Sequence, residues 1–268
     1  MRTHRLSSRA LLTLGTLLGL HAFAWPLYLP NSEFFLFQAN SSRALALVIA
    51  FIAIGVVSLD ISNGALDSKS VALLGVMSAL IAALRLVGAG AIGVEPMWFL
   101  LILSSFVFGA RYGFSLGVIA LGISAIVTGG IGPWLPFQML AAGWIGLVGG
   151  LVGSVAGNFS LLAQRIVLIS LAIFSSLAFG ILMDLQLWPW LSGTDLQLSY
   201  IAGDSILNNL NKFLLFHLAT ALAWDIPRAI TTALLVAITA KPIITSLERA
   251  KLRLAFTSHV IEQKVTAQ

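Results

Sequence analysis

Arg85, Asp184, Asp225 and Arg228 fall near the ends of long apolar stretches, all toward one side of a membrane by the charge pattern of the chain. Charges at that depth face a cavity or a partner rather than lipid, so their chemistry is recognition of a polar group inside an apolar surround. Each also has a plainer reading. Asp225 and Arg228 stand three apart at a helix start and can pair with each other, and Arg85 can snorkel to the interface just ahead of the loop at 88–96. The same side collects Trp134, Phe137, Gln138, Trp188, Trp190 and Trp224. Interfacial tryptophans often form a belt, but with a few polar groups they also line pockets for large organic ligands. Gln138 follows Pro136 at an apolar helix start, can both donate and accept, and is the best single polar contact.

For catalysis the inventory is thin. His4, His21, His217 and His259 are scattered without metal spacing, and the chain has no HExxH, no Gly-x-Ser-x-Gly and no phosphate-binding Gly-rich Lys motif. Asp184 or Asp225 could serve an intramembrane enzyme, but the sequence pairs neither with a base. Zero cysteines exclude disulfides, thiolate metal sites and cysteine nucleophiles. No catalytic residue, metal site or cofactor is expected in this chain.

These side chains need a scaffold, and composition names it. Of 268 residues, 59% are hydrophobic and only 9% charged, against roughly a quarter charged in soluble domains; mean hydropathy is +0.99. The chain reads as an all-α polytopic membrane bundle. Its net charge of +5 and pI near 10.0 do not indicate nucleic-acid binding, because most basic residues lie in short segments between apolar stretches, where they set topology.

A helix needs about 20 apolar residues to span a bilayer, and eight candidate stretches appear: 10–29, 44–59, 71–87, 97–110, 113–128, 137–157, 166–183 and 227–243. The uncharged run 112–164 is cut by the Gly-Pro cluster at 129–136, which no helix interior tolerates. Arg2, Arg5 and Arg9 place the amino terminus inside, and eight crossings bring Lys69, Arg111, Arg165, Lys241, Arg249, Lys251 and Arg253 to that side. The outer loops then hold Glu33, Glu95, Asp195 and Asp204, with Arg43 and Lys212 near loop ends. The first stretch also matches a secretory signal with a small-x-small site at Ala22-Phe23-Ala24, although apolar residues continue beyond it to Leu29. As one helix, 213–240 would be about 42 Å long, so it is expected to break at Trp224-Asp225-Ile226-Pro227-Arg228, with Asp225 capping the final span. That leaves 205–223 as an outer or partly re-entrant helix, and 185–204 as a loop able to cover something. The polar end at 246–268 is too small to be a soluble domain, so the chain carries no ATPase of its own.

Two stripes of small residues favour close helix approach: Gly75, Ala79 and Ala83, and Gly149, Gly153 and Gly157 with Gly143, Gly146 and Gly150. Spacing leaves open whether each packs internally or against a partner.

From about residue 70 to 253 the chain resembles the substrate-binding S component of energy-coupling factor (ECF) vitamin transporters, particularly the larger actinobacterial-type members. The resemblance is carried by the Ala-rich run 72–85, by Glu95-Pro96 ahead of Phe108-Gly109-Ala110-Arg111-Tyr112-Gly113, by Gly129-Gly130-Ile131-Gly132-Pro133-Trp134-Leu135-Pro136-Phe137-Gln138-Met139, and by Trp224-Asp225-Ile226-Pro227-Arg228-Ala229. It implies a six-helix core (69–253), which leaves two amino-terminal transmembrane helices (1–68) as an addition to the family pattern and a cytoplasmic tail (254–268); charge placement puts both termini on the cytoplasmic side of the cell membrane. Ala79 and Ala83, extended by Gly75, match the motif that docks on a transmembrane T component driven by two cytoplasmic ATPases, so ATP is used by partners. Substrate would bind on the outer side, with Arg85, Glu95, Trp134, Gln138, Asp184, Trp188, Asp225 and Arg228 as the binding set. The implied mechanism is toppling of the whole subunit. Family substrates are vitamins and related micronutrients; a large ligand such as a corrinoid suits the wide aromatic face, with a flavin close behind. The rivals are an integral membrane enzyme acting on lipid or prenyl groups and a structural membrane protein.

Overall fold

The computed structural model describes residues 8–28, 42–63, 66–88, 92–191 and 198–266, with side chains described to residue 253. The expected loop residues Glu33, Asp195 and 89–91 therefore lie outside the described residues, as do the side chains of Arg9 and Arg43. The helices are α1 (Ser8–Tyr28), α2 (Ser42–Ser62), α3 (Ser68–Val87), α4 (Met97–Phe108), α5 (Ala110–Thr128), α6 (Leu135–Ala156), α7 (Leu161–Leu187), α8 (Ile206–Thr220) and α9 (Leu222–Thr266). No strand occurs among the described residues. Seven of these helices are long and apolar enough to cross a membrane, and the chain is a multi-pass, all-α membrane protein.

The candidate stretch at 97–110 is the short one, and it lies inside the bundle. α4 has 12 residues, ten of them buried, and at 1.5 Å per residue extends about 18 Å, short of the roughly 30 Å hydrocarbon core. It is an inner strut that lipid hardly touches. At its end Gly109, with φ 95°, reverses the chain directly into α5, a backbone conformation L side chains rarely adopt. The last carbonyls of α4 are met from outside: Lys251 Nζ of α9 donates to Val107 O at 2.6 Å, placing a cation at a helix C-terminus, where the macrodipole favours it.

Packing in a bilayer gains little from the hydrophobic effect, because lipid tails are as apolar as Leu; close contact and polar pairing must hold the helices together. The α6 glycines supply the close contact. A methyl group at Gly146 would overlap the carbonyl oxygen of Gly113, one at Gly150 would overlap Ala110, and one at Gly153 the carbonyl oxygen of Phe106. The stripe on α6 is thus internal from Gly143 to Gly153, seated on α4 and α5, while Gly157 lies exposed just past the helix end. The α3 stripe is the reverse: Gly75, Ala79 and Ala83 are all exposed, and a methyl at Gly75 would meet nothing within 4 Å.

The amino-terminal helices share the core of the rest. Phe23 of α1 is buried and lies edge-on to Phe137 of α6 at 5.2 Å, with Trp144 at 5.6 Å. The small-x-small site at Ala22-Phe23-Ala24 therefore sits in mid-helix against α6. Other boundaries move outward. α7 begins five residues before and ends four after the expected 166–183 span, since Ser160 caps it and Trp188-Pro189-Trp190 continues it as a 3-10 turn. The region 205–223 is a separate short helix, and the break falls at Ala221, just ahead of the expected point. Asp225 lies in the first turn of α9 and is not its cap. α9 remains helical far past residue 246.

Replacing Gly146 by Leu is expected to cost about 1–3 kcal/mol through overpacking, whereas Gly75→Leu should stay within about 0.5 kcal/mol. Circular-dichroism melts of the two variants in one detergent check this; equal losses would contradict the inward and outward assignment of the stripes.

Candidate functional site

The residues singled out in the sequence separate into two groups at one end of the bundle. The first centres on Arg228, in the second turn of α9 and only 5% exposed. Its Nε donates to Glu95 Oε2 at 3.1 Å and one terminal nitrogen to Asp225 Oδ1 at 2.6 Å. That nitrogen also reaches the carbonyl of Ser176 at 3.3 Å, and the guanidinium lies 5.2 Å from the centre of the Phe179 ring. The local ion pair of Asp225 with Arg228 thus exists, as part of a larger arrangement. Glu95 is itself fixed by the Trp98 indole N–H, which donates to Oε2. One guanidinium ties the 88–96 loop, α4, α7 and α9 together.

Asp225 is 1% exposed. It fits because residue 180 is glycine: any Cβ there would overlap the Asp225 carboxylate. The other carboxylate oxygen, Oδ2, accepts no hydrogen bond and lies 3.9 Å from His217 Nε2. His217 Nδ1 is 2.8 Å from Asp184 Oδ2, so one imidazole on α8 bridges carboxyl groups on α7 and α9. The sequence leaves His217 unassigned and pairs neither Asp184 nor Asp225 with a base; the fold brings His217 to both. A signal existed, since Asn209, Phe213 and His217 recur every four residues, the spacing of one helix face. Gly180 had no such signal, because a helix glycine reveals its neighbour only in three dimensions.

The second group is more open. Arg85 does not snorkel outward. It turns to α5 and α6, donating to Ser124 Oγ at 3.2 Å and to Gln138 Oε1 at 3.5 Å, and no carboxylate lies within 4.0 Å of it among the described residues. Trp134, on the turn entering α6, is 44% exposed. Trp188, in contrast, is a buried packing residue. Its ring meets Tyr200 at 5.4 Å and Phe213 at 5.4 Å, and its N–H donates to Leu198 O. Trp25 of α1 joins the same aromatic cluster through Tyr200 and Trp190, and Phe213 stacks on His217. The first helix therefore contributes to the roof beside the charged cluster.

Nearby, Asp204 organises the entry to α8. It accepts from Lys212 Nζ at 2.6 Å, Asn208 and the Ser205 N–H, and these hold its carboxyl down at about 2. Burial pushes the Tyr200 hydroxyl up. No grouping of three or more His, Asp or Glu able to hold a metal occurs among the described residues. No family model matches this sequence, and comparison with curated proteins and with solved structures gives no match.

Arg228→Gln should destabilise the fold by about 3–5 kcal/mol, because it leaves buried carboxylates without their counter-charge, while Arg85→Gln should cost far less; thermal melts in detergent distinguish them. A second expectation concerns acid. With a carboxyl lowered from about 4 to about 2, the contribution of Asp204 is present above pH 4 and disappears as pH falls through 2. Hydrogen exchange across 204–212, corrected for intrinsic rates, should therefore lose protection between pH 4 and 2, and Asp204→Asn should flatten that dependence.

Proposed function

We propose that this chain is the substrate-binding membrane subunit of a multi-component importer of the ECF S-component type. It takes a vitamin or related micronutrient, a corrinoid in the first instance, at the end of the bundle that carries Arg85 and Arg228. The observation that carries this reading is the α3 face. Gly75, Ala79 and Ala83 stand exposed with open space over Gly75, while the comparable glycines of α6 are used inside the bundle. A small-residue face turned outward suits close approach of a helix from another chain, here the T component moved by two ATPases that spend the ATP. The basic residues at the other end, Lys69, Arg111, Arg165, Lys241 and Lys251, support a reading in which that end faces the cytoplasm of the cell and the Arg85 end faces outside.

Within this reading the two polar groups divide the work. Asp225, Arg228, Glu95 and Asp184 are committed to one another and to His217, so they hold the frame and shape the wall. Arg85, with Ser124, Gln138 and the exposed Trp134, keeps donor capacity and ring surface for a ligand. Arg85 favours a substrate that presents a carboxylate, phosphate or amide oxygen.

A second reading is favoured by one feature. The imidazole of His217 between Asp184 and Asp225 has the form of an oriented general base, as an integral membrane enzyme acting on lipid or prenyl groups would use. The two readings separate cleanly. Ala79→Trp with Ala83→Trp should abolish copurification of membrane and ATPase partners while leaving the melting temperature unchanged and leaving any vitamin retained by the isolated chain, seen by native mass spectrometry. If the double variant still brings down its partners, the docking assignment is wrong; if His217→Gln abolishes turnover of a lipid substrate, the enzyme reading replaces it.

A further inference from the structure

At the opposite end of the bundle α7 and α9, which meet at Gly180 and Asp225, separate into a cleft of about 800 Å³. Arg165 and Lys241 line it together, with apolar walls that include Leu162, Leu168 and Ile238. The level of this cleft follows from helix geometry. Arg165 precedes Asp184 by nineteen residues on one continuous helix, which is about 28 Å along the axis, close to the roughly 30 Å of a hydrocarbon core. If one charged layer lies at one membrane surface, this cleft lies at the other.

Neither Arg165 nor Lys241 makes an ion pair among the described residues, although Glu248 also borders the cleft. Glu248 is seven residues past Lys241, about 10 Å further along α9, away from the membrane-spanning part. Both cations are exposed, and so are Leu162 and Ile238 beside them. A pair of cations over an apolar trough, at headgroup level and open toward the bilayer, is complementary to one class of molecule: an anionic head carrying hydrocarbon. Basic recesses between transmembrane helices recognise such lipids by this combination.

We propose that the α7–α9 cleft is a binding site for an anionic phospholipid, whose phosphate is held by Arg165 and Lys241 and whose acyl chain lies along the exposed Ile238, over a floor closed by the buried Leu168. The charged pair selects the headgroup, and the apolar wall distinguishes a lipid from free phosphate. This site is independent of what binds near Arg85.

The test uses the full chain purified in a mild detergent, exchanged with mixed micelles of phosphatidylglycerol and phosphatidylcholine, and read by native mass spectrometry. The wild type should retain phosphatidylglycerol over phosphatidylcholine by at least about tenfold, at one site. Arg165→Gln with Lys241→Gln should bring that ratio close to one, and Glu248→Gln should raise it. Ile238→Trp keeps both charges but fills the trough, and should weaken retention of the lipid without creating binding of phosphate. Both cations are exposed, so the double variant should keep the wild-type circular-dichroism melt; if it does not, the Ile238→Trp result decides. Three results would overturn the proposal: equal retention of phosphatidylglycerol by wild type and both variants, displacement of the lipid by millimolar inorganic phosphate, or a double variant that keeps its lipid and loses a copurifying protein. The last would make the cleft a protein interface.

Discussion

A guanidinium inside a membrane-spanning bundle cannot be left to itself, and much of this structure follows from how Arg228 is satisfied. Desolvating a charge costs several kcal/mol even after relaxation, so Arg228 recruits Glu95 from the 88–96 loop, Asp225 from its own turn and a carbonyl from α7. Each recruit brings its element with it. Glu95 holds the start of α4, the buried strut; Asp225 requires the bare backbone of Gly180 and draws α7 against α9; His217 then docks α8 by reaching Asp184. Gly93, with φ 66° and no room for a Cβ beneath the carbonyl of Trp224, lets the loop close over the same point. This end of the bundle is thus fixed by polar bonds where apolar burial gives little advantage over lipid.

The middle of the bundle is held differently. Backbone-to-backbone approach of α6 with α4 and α5 replaces side-chain interdigitation over much of the interface, and dispersion then acts between main chains at short range. Such a contact leaves no room for adjustment. It makes α4, α5 and α6 a slab on which Ser124 and Gln138, the partners of Arg85 from α3, keep their relative positions. The small-residue face on α3 is not consumed in this way and stays exposed.

How much of this was legible varied by residue. The turn at 129–136 and the helix break ahead of Asp225 could be read directly, because glycine, proline and capping preferences act over a few residues. The pairing of Asp225 with Arg228 was also visible as a local interaction. Glu95 was tied to that pair only by its side of the membrane, since 133 residues separate it from Arg228. Trp188 was read as a ligand contact, yet it is buried among Tyr200 and Phe213; its tryptophan character is the same in both roles, and only its neighbours decide between them.

By itself the sequence determined the solvent of this protein, its helical class and its approximate span boundaries, because hydropathy, charge placement and helix breakers are properties of short segments read against a bilayer of fixed thickness. The tertiary structure alone decided which small-residue stripe turns inward, that α4 is a short strut buried inside the bundle, and that His217 joins Asp184 to Asp225. The physical reason is common to all three. A glycine stripe, an apolar dozen residues and a lone histidine each satisfy several environments equally well, and the choice is made by distant segments whose approach no local pattern encodes.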